Sequence, residues 1–134
     1  MITSKVEYTG GLRTKAVHLA SKSEIITDAP KDNNGKGEAF SPTDLVATAL
    51  ANCMLTVMGI LSNKEGITPI DGATAEVTKV MYAEPRRIGE IHVQLQMPKG
   101  NFSEKEKNQK KQRTWKNVGF LEFENVWRFL RREI

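Results

Sequence analysis

The alternation of polar and apolar positions predicts a strand-rich chain built around one dominant helix. Period-two alternation predicts five strands, at residues 3–9, 14–20, 23–28, 73–83 and 87–97. The Gly10–Gly11 pair predicts the first turn, because glycine adopts positive φ angles freely. A dense set of Pro, Gly, Asn and Asp residues predicts an exposed loop at 29–37.

The strongest predicted element is a helix that begins at Ser41–Pro42. Ser41 can cap the free N–H groups, Pro42 suits the first helical position, and Asp44 completes a weaker form of the capping box. Residues 45–61 are apolar on nearly every face, which predicts a buried helix. Gly66 is expected to end it.

A second helix is predicted to begin at Ser103, because Ser103 and Glu106 form a capping box. Residues 104–114 contain no apolar side chain, so this helix would have no face for the core. The composition then reverses, since five of the nine aromatic residues lie in the last twenty positions. The tail therefore differs in character from the rest of the chain.

The net charge of +4 is concentrated near the C-terminus. Residues 105–134 contain nine Lys/Arg and four Asp/Glu, whereas residues 1–104 contain eleven and twelve. Trp115 is the single aromatic residue among the lysines at 105–116, whereas a single-strand nucleic-acid surface would require aromatic residues interleaved along the run. We therefore expect no nucleic-acid partner.

The length of 134 residues fits one domain, 1–134. The N-terminus lacks the basic-then-apolar pattern of a signal peptide, and no apolar run reaches the roughly 20 residues that span a bilayer. We expect a cytoplasmic protein with no membrane partner. Cys53, His18 and His92 are too few to form a dense metal site within one chain, so no metal or cofactor is expected.

Three residues are candidates for catalysis, and each also has an ordinary structural explanation. Cys53 is either a small core residue of the helix or a reactive thiol, and reactivity needs a nearby cation. Arg13 is either that cation or a solvated hairpin arginine. Asp44 is either a site carboxylate or simply an N-terminal cap residue.

Four segments carry a resemblance to a known family. The cysteine follows the helix-opening proline by eleven residues, and the segments are Thr27–Pro30, Phe40–Leu45, Ala49–Cys53 and Pro85–Ile88. Together they resemble the family of the osmotically inducible protein C and the organic hydroperoxide resistance protein (OsmC/Ohr). The resemblance covers roughly residues 3–106.

The resemblance implies an α+β fold in which strongly curved antiparallel sheets wrap two central helices. It also implies an intertwined homodimer with active sites at the subunit interface. Peroxidase members reduce organic hydroperoxides: a first cysteine attacks the peroxide and becomes a sulfenic acid. A second cysteine then closes a disulfide, which a dithiol reopens. Cys53 matches the first cysteine.

The chain departs from the peroxidase pattern in three places. The glutamate that follows the helix-opening proline is replaced by Thr43, so Asp44 is the nearest acid. Arg13 lies one place later than the family arginine. The second cysteine is missing, and the tail offers only Trp115–Gly119 in its place. We hypothesise that a frameshift near residue 108 has replaced the native second helix and last strand.

Two functions remain open at this stage. The first is a thiol peroxidase acting through Cys53, with Arg13 and Asp44 beside it and an external thiol or dithiol as reductant. The second is a non-catalytic dimeric binding protein in which Cys53 is core packing. A weaker third option is a regulator that acts through the basic, aromatic tail.

Overall fold

The computed structural model describes residues 1–66 and 69–98 of the chain. Its elements follow the predicted order, and strand bounds differ from the predicted ones by at most two residues. They are β1 (Ser4–Gly10), β2 (Arg13–His18), β3 (Glu24–Asp28), α1 (Pro42–Glu65), β4 (Thr74–Tyr82) and β5 (Arg87–Gln96). The predicted loop contains one short 3₁₀ turn, Lys31–Asn33. The second helix predicted from Ser103 lies outside the described residues.

Strands β1, β2 and β3 form an antiparallel sheet in sequential order. The β1–β2 turn uses positive φ at Gly11 (60°), as the sequence predicts, and also at Leu12 (63°). The register of β2 and β3 places Arg13 directly opposite Asp28. The first residue of one strand and the last residue of the next therefore share one edge of the sheet.

Strands β4 and β5 form a separate antiparallel hairpin with a bulge near Met81. The hydroxyl of Tyr82 donates to Glu90 Oε1 (3.1 Å), and His92 Nε2 lies 2.7 Å from Glu90 Oε2. The guanidinium of Arg87 lies 5.1 Å from the centre of the Tyr82 ring. These contacts link exposed side chains of the two strands near the turn of the hairpin.

The start of α1 confirms the predicted cap. The backbone N–H of Asp44 donates to Ser41 Oγ (3.1 Å), and the backbone N–H of Ser41 donates to Asp44 Oδ2 (2.8 Å). These reciprocal bonds satisfy two of the backbone donors that a helix start leaves free. Gly66, at φ 60°, follows the last helical residue as expected.

The prediction that α1 is buried on all sides is wrong for the single chain. One stripe is buried, at spacings of four, three, four and four residues: Ala47, Ala51, Met54, Met58 and Ser62. Outside this stripe, Val46 keeps 49% of its surface exposed and Ile60 keeps 59%. An apolar helix is buried all round only where neighbours cover every side, and in the part of the chain that the structure describes one side is covered.

The same helix corrects the expectation that no apolar segment is long enough to span a bilayer. Pro42–Lys64 spans 23 residues, and an 18-residue window within it has a mean hydropathy of 1.9, so the helix is long and apolar enough to cross a membrane. The sequence argument counted only uninterrupted apolar runs and so missed it. The core helices of soluble proteins also meet this criterion, so length and composition alone assign no membrane role.

The chain divides into two compact units, Met1–Val46 and Ala47–Ile134. The first contains the three-stranded sheet and the beginning of α1. The second contains the remainder of α1 and the β4–β5 hairpin. The described residues thus form an α+β arrangement of antiparallel sheets and one α-helix, and the single-domain assignment stays a prediction.

Candidate active site

Arg13 is held by two carboxylates within the first unit. Its Nη2 lies 3.4 Å from Oδ2 of Asp28, the residue opposite it in the sheet. The same nitrogen pairs with the carboxylate of Glu38. The hydrogen bond that Arg13 donates to the Glu38 carboxylate is the main reason that the pKa of Arg13 is raised above its ordinary value. The arginine is therefore a fixed cation and does not project freely from the hairpin.

Asp28 is the buried centre of this cluster. It has 0% relative exposure, and its Oδ2 also accepts the backbone N–H of Glu38 (2.9 Å). That backbone bond lowers the pKa of Asp28, and the charge of Arg13 lowers it further against the opposing effect of burial. Its Oδ1 is buried with no hydrogen-bond partner among the described residues. The carboxylate is thus held in its charged form.

The loop after β3 brings Glu38 to the sheet edge. The backbone N–H of Ala29 donates to Leu12 O (3.1 Å), and that of Gly37 donates to Ala29 O (3.2 Å). The backbone N–H of Asp28 donates to Phe40 O (3.1 Å). The loop is therefore tied to β3 immediately before α1 begins.

Asp44 lies in the first turn of α1. Its Oδ2 accepts the backbone N–H of Ser41 and also the Ser41 hydroxyl (2.7 Å). Ser41 itself is 1% exposed, so this cap is buried. These contacts give Asp44 the helix-cap role that the sequence allowed. The carboxylates that hold Arg13 are Asp28 and Glu38.

Cys53 lies on α1 and carries a free, exposed thiol. It follows the exposed Asn52 and precedes the buried Met54, at the margin of the buried stripe. Cys53 belongs to the second unit, whereas Arg13 and Asp44 belong to the first. Among residues 1–66 and 69–98, Cys53 is an exposed residue of α1 and not part of the packed core.

The two histidines lie in separate polar clusters. His18 Nδ1 lies 2.7 Å from Ser21 Oγ in the β2–β3 turn, and His92 pairs with Glu90 on β5. Among residues 1–66 and 69–98, no group of three or more His, Cys, Asp or Glu side chains could hold a metal ion.

The sequence reasoning missed Asp28 and Glu38 as site residues. The useful signal was local, because Asp28 ends a strand that immediately follows the strand of Arg13. In an antiparallel pair, the start of one strand and the end of the next lie side by side. A carboxylate opposite an arginine is then a candidate partner.

Comparison with known proteins identifies the family to which the chain belongs. A family model described as OsmC-like protein matches residues 35–118. The chain belongs to the OsmC-like protein family. This confirms the resemblance drawn from the proline-to-cysteine spacing and the segments around it. The match runs past residue 106, where the resemblance to the family was expected to stop.

Two solved structures of OsmC-like proteins resemble this chain. One is an osmotic stress induced and detoxification response protein from Psychrobacter arcticus 273-4, with 53% identity and a TM-score of 0.80 over 88% of this chain and 85% of that one. The other is an organic hydroperoxide resistance protein OsmC from Legionella pneumophila, described as a predicted redox protein and regulator of sulfide bond formation.

The Legionella pneumophila protein is 17% identical and has a TM-score of 0.65, covering 89% of this chain and 86% of that chain. At that identity the likeness shows the OsmC-like fold alone. No curated protein sequence matches the chain.

Proposed function

We propose that this OsmC-like protein is a thiol-dependent peroxidase that reduces organic hydroperoxides through Cys53. The observation that carries the proposal is the free, exposed thiol of Cys53 on an otherwise apolar helix. An exposed thiol can be reached by a peroxide, whereas a buried structural cysteine is inert. The apolar side chains around it suit an organic hydroperoxide better than hydrogen peroxide.

The reaction balances with one cysteine and an external thiol. The Cys53 thiolate attacks the distal peroxide oxygen, the O–O bond breaks, and the organic alkoxide takes a proton and leaves as an alcohol. Cys53 is then a sulfenic acid. A first external thiol forms a mixed disulfide and releases water. A second thiol, or the other arm of a dithiol, attacks that disulfide and restores Cys53.

The thiolate needs a cation, and the resemblance to the family makes Arg13 the candidate for that role. A cysteine is nucleophilic as its thiolate, which a neighbouring guanidinium favours. Cys53 is about three turns from the start of its own helix, so that dipole contributes little. Asp44 acts here through the helix start that it caps and not through direct contact with the peroxide.

We further propose that the working form is a homodimer. On α1, Val46 and Ile60 are exposed apolar residues. On the first sheet, Val6, Tyr8 and Ile25 lie on one face and are 62%, 64% and 48% exposed. Apolar surface of this extent is typical of a chain that associates. A second copy supplies the missing cover in the intertwined dimer that the resemblance implies.

The proposed reductant is a small thiol or dithiol, and the proposed compartment is the cytoplasm. A single cysteine that must cycle through a sulfenic acid needs reducing surroundings, which the cytoplasm supplies. No nucleic acid, membrane, metal or cofactor takes part in the proposed cycle. The excess of basic residues lies in residues 105–134 of the sequence, which follow Arg13, Asp44 and Cys53 along the chain.

A non-catalytic dimeric binding protein is the second candidate. Thr43 at the family glutamate position and the single cysteine favour it. In that case the second copy would bury Cys53, and its thiol would be packing. The two functions differ in whether Cys53 reacts in the native protein.

The deciding experiment is intact-mass analysis of the full-length protein after brief exposure to cumene hydroperoxide. We expect a gain of one oxygen atom at Cys53, replaced by a dimedone adduct when dimedone is present, together with release of the alcohol in equal amount. The Cys53→Ser variant is the control and should not change in mass. An unreacted thiol in the native protein that reacts only after unfolding would establish the binding protein instead.

A further inference from the structure

Asn34 lies in the loop between β3 and α1 and is the one asparagine of the sequence that a glycine follows. An Asn–Gly pair is chemically labile in water, because glycine has no Cβ to hinder attack of its amide nitrogen on the asparagine side chain. Asn34 is exposed and comes directly after the 3₁₀ turn Lys31–Asn33. Solvent therefore reaches the side chain that would react.

We propose that Asn34 is a site of spontaneous deamidation and that the closed loop controls the rate of the reaction. The inference concerns the unit Met1–Val46 alone and is independent of the chemistry of Cys53. It means that the loop carrying Glu38 is altered covalently with water as the only co-reactant.

The reaction balances in two steps. The Gly35 nitrogen gives its proton to solvent and attacks Cγ of Asn34, and the side-chain amide takes a proton and leaves as ammonia. The product is a five-membered cyclic imide. Water then adds to one of the two imide carbonyls and breaks the C–N bond there. Opening at Cγ leaves an ordinary aspartate, whereas opening at the backbone carbonyl leaves an isoaspartate, whose main chain runs through Cβ and Cγ.

The closed loop holds the reacting atoms apart. Asn34 has φ 65° and ψ 6°, so the Gly35 nitrogen is nearly eclipsed with the backbone nitrogen of Asn34 and is turned away from its Cβ. Ring closure therefore needs a rotation about ψ. In the closed loop the Gly35 N–H donates to Pro30 O (3.1 Å), and the backbone of Ala29 fills the space beside the Gly35 Cα. Rotation breaks that bond and displaces Gly35, so the reaction needs the loop to open.

Contacts at the end of β3 keep the loop closed. The buried carboxylate of Asp28 accepts the backbone N–H of Glu38 (2.9 Å), and Arg13 pairs with the Glu38 side chain. The backbone N–H of Gly37 donates to Ala29 O (3.2 Å). These bonds are local, so the loop can open without unfolding of the whole protein. Weakening them should therefore raise the rate of deamidation.

The two products should affect the loop differently. Aspartate tolerates the left-handed conformation as asparagine does, so this product keeps the loop closed and adds one negative charge. Isoaspartate inserts a methylene into the main chain before Gly35. The Gly35 N–H then loses its bond to Pro30 O, because the glycine no longer fits against Ala29. We expect this product to hold the loop open and to release the Glu38 backbone N–H.

The test is peptide mapping of the full-length protein during incubation in mildly alkaline buffer. Mass spectrometry detects replacement of the amide NH2 by OH, and chromatography separates the aspartate and isoaspartate peptides. We expect Asn34 to deamidate about tenfold more slowly in the folded protein than in the same chain in urea, since the folded protein reacts through a rare local opening. Asn33, which a residue with a Cβ follows, is the internal control and should react far more slowly in both states.

Two variants separate opening of the loop from loss of overall stability. Asp28→Asn removes the charge that binds the Glu38 N–H and Arg13, and it should speed the reaction in the folded protein about threefold. Gly89→Ala places a Cβ against the Tyr82 ring of the β4–β5 hairpin and should leave the rate unchanged. Circular dichroism shows which variants are folded, and Glu38→Gln replaces Asp28→Asn where the latter is not.

The outcomes decide both parts of the proposal. If Asn34 stays intact in urea, the site itself is overturned. Equal rates in the folded and the unfolded chain overturn control by the loop, and so does an Asp28→Asn rate no higher than that of the parent. Equal acceleration by Gly89→Ala also overturns it, because the reaction would then follow global unfolding. A slow reaction in the folded protein that the Asp28 variant accelerates and the Gly89 variant does not supports both parts.

Discussion

Arg13 and Asp28 face each other across the β2–β3 pair, with Nη2 of the arginine 3.4 Å from Oδ2 of a carboxylate that has no exposed surface. The pair joins the start of one strand to the end of the next. Through the backbone N–H groups of Asp28 and Glu38, it also fixes the segment that leads into α1.

This pair makes stability sensitive to acid. The folded state lowers the pKa of Asp28, so its stabilising effect is present above the unfolded value of about 3.9 and is lost as the pH falls through the folded value. We therefore expect Asp28→Asn to be less stable than the parent at pH 7, with a difference that shrinks towards pH 3. Urea unfolding at several pH values measures this. A difference that is independent of pH would contradict it.

Gly35 lies where a side chain cannot fit. A Cβ at this position would overlap the backbone of Ala29, which cannot move aside while its N–H is bonded to Leu12 O. We expect Gly35→Ala to displace the loop that carries Glu38 and to lower stability by about 1–3 kcal/mol. Thermal unfolding measures the loss. Lys36→Ala is the control in the same loop, and an equal loss there would contradict the steric argument.

The Ser41 cap should carry a measurable share of helix stability. Ser41→Ala removes the hydroxyl that accepts the Asp44 backbone N–H, and we expect a loss of about 1 kcal/mol. Ser41→Thr keeps the hydroxyl and should recover most of it. Thr56→Ala, at an exposed position in the middle of α1, is the control and should be near neutral. Urea unfolding curves of the three variants decide the point.

Substitution by alanine at Gly89 and at Gly59 should change the free energy of unfolding in opposite directions. A Cβ at Gly89 would run into the Tyr82 ring, which would have to leave its bond to Glu90, so we expect a loss of about 1 kcal/mol. Gly59 is a helical residue whose added Cβ would meet nothing closer than Ile70 at 4.0 Å, so Gly59→Ala should gain about 0.5–1 kcal/mol. Thermal unfolding gives both signs. A gain at Gly89 would show that the ring is not fixed.

The sequence sufficed for the strands, the capped helix and the family, because each depends on a local pattern. The partners of Arg13 depend on register, which the pattern leaves open. Strands at 14–20 and 23–28 imply a two-residue turn that would place Arg13 opposite Pro30. The turn is longer than that, because Lys22 adopts a φ of 61° and the backbone N–H of His18 donates to Ser23 O. This longer turn shifts the register so that Arg13 lies opposite Asp28.

The burial of α1 could not be predicted for a different reason. The apolar run shows that the helix avoids water, but it does not show whether the cover comes from the same chain. The exposed fraction of Ile60 is a property of three-dimensional packing that no spacing encodes. The frameshift hypothesis also lies outside the described residues, and sequencing the gene across codon 108 tests it.

The half-covered helix has a consequence for how the protein comes into being. If a second copy buries the exposed side of α1, the last step of folding is bimolecular. Until a newly made chain binds a second copy, its exposed apolar surface can aggregate. The midpoint of thermal unfolding then rises with protein concentration. The concentration of the protein in the cell, and not its sequence alone, would determine the stability of each molecule towards unfolding.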